Sequence, residues 1–251
     1  MNKLSFVTAF ALLTVACSSS SSGDGGTSST QTDPKAVPSA VLIVGSLADS
    51  DMSVAEGKHD AAAKAGEPTA KMLGDGAHTV MLGTTLLGTT KNQFLALDRW
   101  SDGTNIDAFY GSKDFQSSLA PVFSAPPSTI VFVAQPGWST YGTPDGANAD
   151  DPHYWVIVRG TMKSSDAKTN QMTHDGIASV AAPQAQAAGD LAHVVYTGRD
   201  DVKQFLAVDV WPASKNIESF YGNPDVQKAF SQLFEGPPSI SVYSSTNWYQ
   251  W

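Results

Sequence analysis

Residues 94–111 read FLALDRWSDGTNIDAFYG, and residues 205–222 read FLAVDVWPASKNIESFYG. With the glutamine that precedes each segment, the two stretches are identical at 11 of 19 positions. The match continues upstream, where residues 41–45 resemble residues 156–160, and downstream, where a Pro-Pro pair follows each segment. The chain therefore contains one unit twice, and each copy is long enough for a small domain.

Each copy predicts the element order β-α-β-β-α-β, because short β-branched runs indicate strands and longer alanine-rich runs indicate helices. The predicted strands are 41–46, 78–82, 94–100 and 129–134 in the first copy, and 155–161, 193–197, 205–211 and 239–244 in the second. The first helices are predicted over 53–73 and 167–188, bent or split at Pro68 and Pro183. A change of spacing between the copies places a four-residue insertion near residues 84–90.

This order is that of a ferredoxin-like unit, whose antiparallel sheet carries both helices on one face. The other face is apolar too, since Leu206, Val208 and Val210 point to one side of their strand while Phe205 and Trp211 point to the other. One copy alone would expose an apolar sheet. We therefore predict an α+β fold in which two ferredoxin-like halves pack sheet to sheet, act as each other's partner and enclose any active space.

The repeated pattern Phe-Leu-Ala-x-Asp-x-Trp, followed by Asn-Ile-x-x-Phe-Tyr-Gly and by Leu-Phe-x-x-Pro-Pro in the second copy, resembles the dimeric α/β barrel superfamily. The nearest resemblance is to its antibiotic-biosynthesis-monooxygenase-like branch, fused in tandem over residues 39–138 and 154–251. The superfamily includes cofactor-free monooxygenases of polycyclic phenols and quinol-type compounds, haem-degrading enzymes and isomerases, so the resemblance implies the fold more than the reaction.

The resemblance also bears on cofactors. Haem-degrading members carry an iron-ligating histidine on the second helix, and the matching stretches 114–123 and 225–234 contain no histidine. We therefore expect no haem of that type and no other cofactor.

A histidine and an aspartate recur on the two strands of each predicted hairpin. The expected register places His78 opposite Asp98, and His193 opposite Asp209. A carboxylate that holds one imidazole nitrogen makes the ring a suitable general base near neutral pH. These four residues are the predicted catalytic groups. The alternative is a satisfied polar pair that only fixes the strand register.

Further candidates are side chains expected close to these pairs. The predicted substrate-binding residues are His59, Phe94, Trp100 and Tyr110 in the first copy, and His174, Phe205, Trp211 and Tyr221 in the second. The Phe and Trp rings share the sheet face of the pairs and could clamp a flat substrate. The helical histidines would reach the same cavity or stay exposed, and the tyrosines would point into the pocket or belong to the core.

The sequence contains no clear motif for a metal, a nucleophile or a phosphate group. Two histidines and an aspartate in each copy lack tight ligand spacing, so no metal site is predicted. No Gly-x-Ser-x-Gly nucleophile motif and no glycine-rich phosphate loop occurs. Trp138, Trp248, Tyr249 and Trp251 follow the last strands, where they would pack across the two halves or form a ligand-stacking rim.

The beginning of the chain predicts export. Residues 1–16 combine Lys3 with a short apolar run, which is typical of a secretory signal peptide. The run ends in Thr-Val-Ala before Cys17 and resembles a bacterial lipobox, so Cys17 is the predicted lipidation site. We expect an envelope lipoprotein in the outer membrane, because Ser18 follows the cysteine.

The remaining organisation follows from composition. Residues 17–38 are a Ser/Gly-rich flexible tether, 39–138 the first half, 139–153 a linker and 154–251 the second half. The net charge of −9 and the lack of a basic run argue against nucleic acid and anionic lipid as partners. The only membrane contact expected is the lipid on Cys17.

Two functions stay open at this point. The first is cofactor-independent oxygenation of a small aromatic or quinol-like compound, with His78 or His193 as the base. The second is a non-catalytic envelope protein that binds a small apolar ligand or serves as a spacer.

Overall fold

The computed structural model describes residues 35–144 and 153–251. The predicted signal peptide, Cys17, most of the predicted tether and residues 145–152 of the predicted linker lie outside these ranges. In the first half the elements are β1 (Ser39–Ser46), α1 (Met52–Leu73), β2 (Asp75–Gly83), β3 (Gln93–Trp100), α2 (Ile106–Tyr110), α3 (Lys113–Leu119) and β4 (Ser128–Ala134). In the second half they are β5 (Tyr154–Thr161), α4 (Ala167–Ala188), β6 (Ala192–Gly198), β7 (Gln204–Trp211), α5 (Ile217–Tyr221), α6 (Pro224–Leu233) and β8 (Ser239–Ser245). None of the helices in these ranges has the length and apolar character needed to cross a bilayer.

The eight strands form one closed antiparallel barrel in the order β1-β3-β2-β8-β5-β7-β6-β4. Each half contributes four adjacent strands, and the halves join where β2 pairs with β8 and β4 pairs with β6. Closure leaves no free strand edge, which removes the usual sites of edge-to-edge association. The predicted α+β fold, with two ferredoxin-like halves in an intramolecular dimeric α/β barrel, is confirmed.

The barrel interior is filled by apolar side chains from both halves. Its buried members include Leu42, Leu95 and Leu97 from the first half and Ile157, Leu206 and Val208 from the second. The opposite face of each sheet packs against the helices of its own half, in two separate apolar clusters. The four predicted catalytic residues lie on these helix-covered faces. The expectation that the two sheets enclose the active space is therefore wrong for the histidine sites.

The first helix of each half begins and ends in the same way. The Asp51 side chain accepts a hydrogen bond from the helix at the start of α1, and Asp166 does so for α4. Both helices end at a glycine with φ +113°, Gly74 and Gly189, because the left-handed conformation is accessible to glycine. The same helix length of 22 residues therefore arises twice.

Both helices continue through their internal proline, so the predicted split at Pro68 and Pro183 does not occur. A proline removes one hydrogen bond of the helix. In α1, residues on both sides of the proline pack against the core, where Ala55 and Ala70 are fully buried.

The insertion in the first copy reaches the other half. Residues 84–90 include a short 3₁₀ turn at Leu86–Gly88, and Leu86 packs against the apolar cluster of the second half. Thr84 donates its backbone N–H and its hydroxyl to the carbonyl of Val242, at 3.0 and 2.9 Å. The extra residues thus strengthen the contact between the two halves.

Candidate functional site

The His–Asp pairs form as the predicted register requires. His78 lies opposite Asp98 between β2 and β3, and His193 lies opposite Asp209 between β6 and β7. In each pair the imidazole Nδ1 is 2.5 Å from a carboxylate oxygen. The side chain of His193 is 18% exposed and that of His78 is 9% exposed, so the second pair is the more accessible.

A helical histidine meets each of these strand histidines. The Nε2 atoms of His59 and His78 are 3.2 Å apart, and so are those of His174 and His193. The ring planes of the two pairs differ by 8° and 6°, with centroids 5.4 Å apart. With the centroids 5.4 Å apart, the Nε2 atoms can be as close as 3.2 Å only if they point at each other. The rings therefore lie head to head, and the contact is an N–H···N hydrogen bond.

The geometry determines where the protons lie in the second half. His174 Nδ1 faces Asp175 at 3.0 Å and His193 Nδ1 faces Asp209, so both Nδ1 atoms carry a proton. One proton fits between the two Nε2 atoms, and the pair therefore carries one positive charge. Burial lowers the pKa of His174 to about 4 despite its bond to Asp175. Burial also opposes the charge on His193, but Asp209 outweighs it and the pKa of His193 is raised. The positive charge therefore belongs to His193.

The first half repeats this arrangement. His59 Nδ1 lies 3.2 Å from Asp60, and burial together with the neighbouring His78 lowers the pKa of His59 to about 4. The helical histidines were expected either to reach the same cavity or to stay exposed, and the meeting of the four histidines in pairs was not predicted.

The two predicted tyrosines hold the carboxylates. Tyr221 donates its hydroxyl to Asp209 Oδ2 at 2.5 Å, and Tyr110 donates to Asp98 Oδ2. Burial and the adjacent carboxylates raise the pKa of both phenols well above the usual range. Each tyrosine therefore acts as a hydrogen-bond donor that fixes its aspartate.

A second acidic residue, which was not predicted as part of the site, lies beside each pair. Asp75 and Asp190 follow α1 and α4 and are buried. Burial is the main cause that raises the pKa of each carboxyl to about 8. The second cause is the negative charge nearby, of Asp98 for Asp75 and of Asp209 for Asp190. Both are therefore protonated at neutral pH. The Gly-Asp pair repeated after each first helix is the sequence signal that could have identified them.

Each histidine site is covered by a segment from the opposite half. Residues 137–141, the first cover segment, follow β4 and pack on the second half; residues 247–251, the second cover segment, follow β8 and pack on the first half. Trp138 lies 5.1 Å from His174, and Trp248 lies 5.4 Å from His59, between ring centroids. The segments after β4 and β8 thus pack across the two halves. Of the two alternatives left open by the sequence, packing and a ligand-stacking rim, this is the first.

Backbone hydrogen bonds hold both cover segments in equivalent positions. Tyr141 exchanges two of them with His193, at 3.0 and 2.8 Å, and Trp251 exchanges two with His78, at 3.2 and 2.8 Å. Each segment also donates a backbone N–H to the aspartate beside the helical histidine. Both sites are therefore assembled from two halves of one chain.

The second half contains the larger cavity, of about 80 Å³, between its helices and its sheet. Its apolar wall includes Ile177, Ala181, Phe205, Val226, Phe230 and Leu233. Its polar end is formed by the His174–His193 pair with Asp190 and Asp209. The equivalent cavity of the first half is about 30 Å³ and is lined by His59, His78, Phe94 and Trp251 among others.

Nine of the twelve predicted site residues line the two cavities, whereas Trp100, Tyr110 and Trp211 do not. Trp100 and Trp211 are buried in the apolar clusters and line neither cavity. Trp100 Nε1 donates to the Tyr110 hydroxyl at 3.2 Å. Of the expected aromatic clamp, Phe94 and Phe205 are the members at the cavities.

Metal and haem ligands can be considered from the same residues. Within residues 35–144 and 153–251, no group of three or more His, Cys, Asp or Glu side chains is arranged to hold a metal ion. The facing histidines use their Nε2 atoms for each other. Helices α3 and α6 contain no histidine, so the residues there do not fit axial ligation of a haem iron.

Comparisons with solved structures agree with this architecture. An anthrone oxidase-like protein superposes with a TM-score of 0.59 at 16% identity, over 87% of this chain and 94% of that one. A candidate monooxygenase from Fusobacterium nucleatum gives 0.56 at 9% identity, over 86% and 98% of the two chains. A candidate monooxygenase from Lactobacillus acidophilus gives 0.53 at 11% identity, over 85% and 95%.

No protein-family model and no curated protein sequence matches the chain. At these identities the structural likeness concerns the fold, and the shared fold extends over both halves. The protein therefore has the fold of these solved proteins, a dimeric α/β barrel whose two halves are here supplied by one chain.

Proposed function

We propose that the second half oxygenates a small aromatic or quinol-like compound without a cofactor. The observation that carries this proposal is the His174–His193 pair, held by Asp175 and Asp209, at the polar end of an apolar cavity. A cofactor-free oxygenation needs a base that generates an electron-rich anion and a pocket that excludes water. Both requirements meet in this cavity.

The base is the pair without its shared proton. In that state both Nδ1 atoms still donate to carboxylates, and the two Nε2 lone pairs face each other at 3.2 Å. Their repulsion favours the uptake of one proton, and the substrate can supply it once widening of the cavity turns one lone pair toward it. Asp209 then stabilises the imidazolium of His193, as in other carboxylate–histidine pairs.

The reaction balances with oxygen as the only oxidant. With an anthrone as substrate, the base removes a proton from the CH₂ group activated by the aromatic rings, and the carbanion gives electrons to O₂ as a C–O bond forms. The imidazolium returns the proton to the peroxide. Loss of the second C–H proton and cleavage of the O–O bond release water and leave a carbonyl. One CH₂ group and one O₂ thus become one C=O and one H₂O.

The size of the cavity limits how the substrate binds. Drug-sized ligands occupy pockets of about 300–1,000 Å³, so a cavity of about 80 Å³ must widen before a ring can bind. Tyr141 is half-buried at the polar end, and the first cover segment lies in a connection between strands. We expect this segment to move outward when substrate binds.

The test is oxygen uptake by soluble protein that starts at Ala36, with anthrones and quinols as substrates. His193→Gln should lower the rate by roughly 10² to 10⁴, the usual contribution of a general base. His78→Gln, the matched control in the first half, should leave the rate unchanged because its cavity is too small. The wild-type rate should rise with pH as His193 loses its proton. Equal rates for wild type and His193→Gln would remove histidine from the mechanism.

A non-catalytic role fits the first half better. Its cavity of about 30 Å³ holds little more than a water molecule, whereas that of the second half is about 80 Å³. The His–Asp pair there would fix strand register and anchor the second cover segment. If the whole protein has this role, aromatic ligands will bind to the second half without oxygen uptake.

We also propose that the protein is a lipoprotein anchored to the outer membrane through Cys17. The lipobox-like sequence before Cys17 and the flexible tether after it support this assignment. Cys17→Ser should move the protein from the membrane fraction to the soluble fraction of the envelope. Mass spectrometry of wild-type protein without a diacylglyceryl adduct would contradict the proposal.

A further inference from the structure

We propose that the first half contains a second binding site for a phenol-type ligand and that Trp251 closes it. Residue 251, which covers the first half, and residue 141, which covers the second, decide which site is open. This proposal concerns binding alone and does not depend on turnover in the second half.

The two sites have the same construction. The repeat places Phe94, Ala96 and Asp98 where the second half has Phe205, Ala207 and Asp209, and both sets line their cavities. The histidine pairs have the same separation of 3.2 Å in both halves. A ligand that fits one cavity therefore meets the same chemistry in the other.

The cover segments supply the difference. The Trp251 ring lies 4.5 Å from the His78 ring, whereas the Tyr141 ring lies 5.8 Å from the His193 ring. Lys71 Nζ lies 5.9 Å from the centroid of the Trp251 ring. The larger indole thus occupies space that stays open beside Tyr141, in agreement with cavities of about 30 and 80 Å³.

The closed site leaves two polar atoms without partners. Tyr141 donates its hydroxyl to Asp190 Oδ2 at 2.7 Å. In the equivalent place of the first half, the buried atoms Asp75 Oδ2 and Trp251 Nε1 have no hydrogen-bond partner among the described residues. Asp75 is 2% exposed and lines the cavity. Buried polar atoms without partners are unfavourable, and they point to a ligand group that can satisfy them.

The unpartnered Asp75 oxygen and the apolar lining define the ligand class. A hydroxyl both donates and accepts, so it can bond to Asp75 in either protonation state. The remaining lining is apolar and includes the rings of Phe94, Phe109 and Phe115. A flat aromatic ring with one hydroxyl group matches this combination.

The experiment uses 4-fluorophenol as the probe and counts bound resonances by ¹⁹F NMR. Wild type should give one bound resonance, from the second half. Trp251→Tyr should give two, because the smaller ring opens the first site. Tyr141→Trp should give none, because the indole closes the second site. Tyr249→Phe changes the same cover segment outside the cavity and should keep one.

Trp251→Phe serves as a second opening variant, and circular dichroism establishes that each variant is folded. A single bound resonance in wild type and in both folded Trp251 variants would overturn the proposed site in the first half. It would leave the proposed oxygenation in the second half intact. No resonance in wild type but one in Trp251→Tyr would support the second site and argue against ligand binding in the second half.

Discussion

Asp209→Asn separates a catalytic from a structural role for the His–Asp pair. Asp209 accepts from His193 Nδ1 and from the Tyr221 hydroxyl, both at 2.5 Å. Asparagine keeps one oxygen for Tyr221 and turns an N–H toward His193, which then must hold its proton on Nε2. The ring stays in place but is neutral and can no longer take a proton at Nε2.

The stability cost follows from the lost charge. One charge-assisted hydrogen bond contributes about 1.5–3 kcal/mol, so the free energy of unfolding should fall by that amount. For a domain of this size we expect Tm to fall by roughly 3 to 12 °C. The oxygen uptake rate with an anthrone should fall by roughly 10² to 10⁴.

Asp98→Asn is the matched variant in the first half. Asp98 makes the same two contacts, with His78 and Tyr110, so its Tm should fall by a similar amount. Its oxygen uptake should equal that of wild type, because Trp251 closes the adjacent cavity. Equal loss of oxygen uptake in the two variants, or full activity in Asp209→Asn, would refute this reasoning.

Three further predictions concern stability. The pKa of His174 is about 4 in the folded state against an ordinary 6.5, so the wild type loses stability as pH falls through this window. One pKa unit corresponds to about 1.4 kcal/mol, so the free energy of unfolding of His174→Gln relative to wild type should rise by about 3 kcal/mol between pH 7 and pH 4 in urea titrations. If the difference between the two proteins stays constant with pH, this prediction is wrong. The pKa of Asp190 is raised to about 8, so the wild type loses stability as pH rises from 4 to 8, and Asp190→Asn should flatten that slope. A Cβ at Gly160 would lie 2.7 Å from the Phe234 ring, so Gly160→Ala should cost about 1–3 kcal/mol by thermal unfolding. Gly176 lies in α4 with open space around it, so Gly176→Ala should instead raise the free energy of unfolding by up to about 1 kcal/mol. Equal effects of the two substitutions would show that the contact with Phe234 does not matter.

The repeat made most of the fold predictable. Two copies with the same alternation of strands and helices leave an apolar sheet face that only the other copy can cover. The parity of a β-strand then places His193 and Asp209 on one face under any even register shift, which is why this pair was found from the sequence.

Other parts of the site depend on contacts between distant segments. The meeting of His59 with His78 requires the helix to be placed on the sheet, and spacing along the chain does not determine that. The cover segments cross to the opposite half, so neither Tyr141 nor Trp251 could be assigned to a site beforehand. Both sheet faces are apolar, and hydrophobic alternation alone does not show which of them carries a cavity.

The cavity between α4 and the sheet of the second half is the centre of this account. The most direct measurement is a crystal structure of the protein with bound 4-fluorophenol. We expect the ring between Phe205 and Phe230, with its hydroxyl directed toward the polar end of the cavity, and no ligand in the first half. A ligand that occupies the barrel interior, or that binds while this cavity stays empty, would contradict the account.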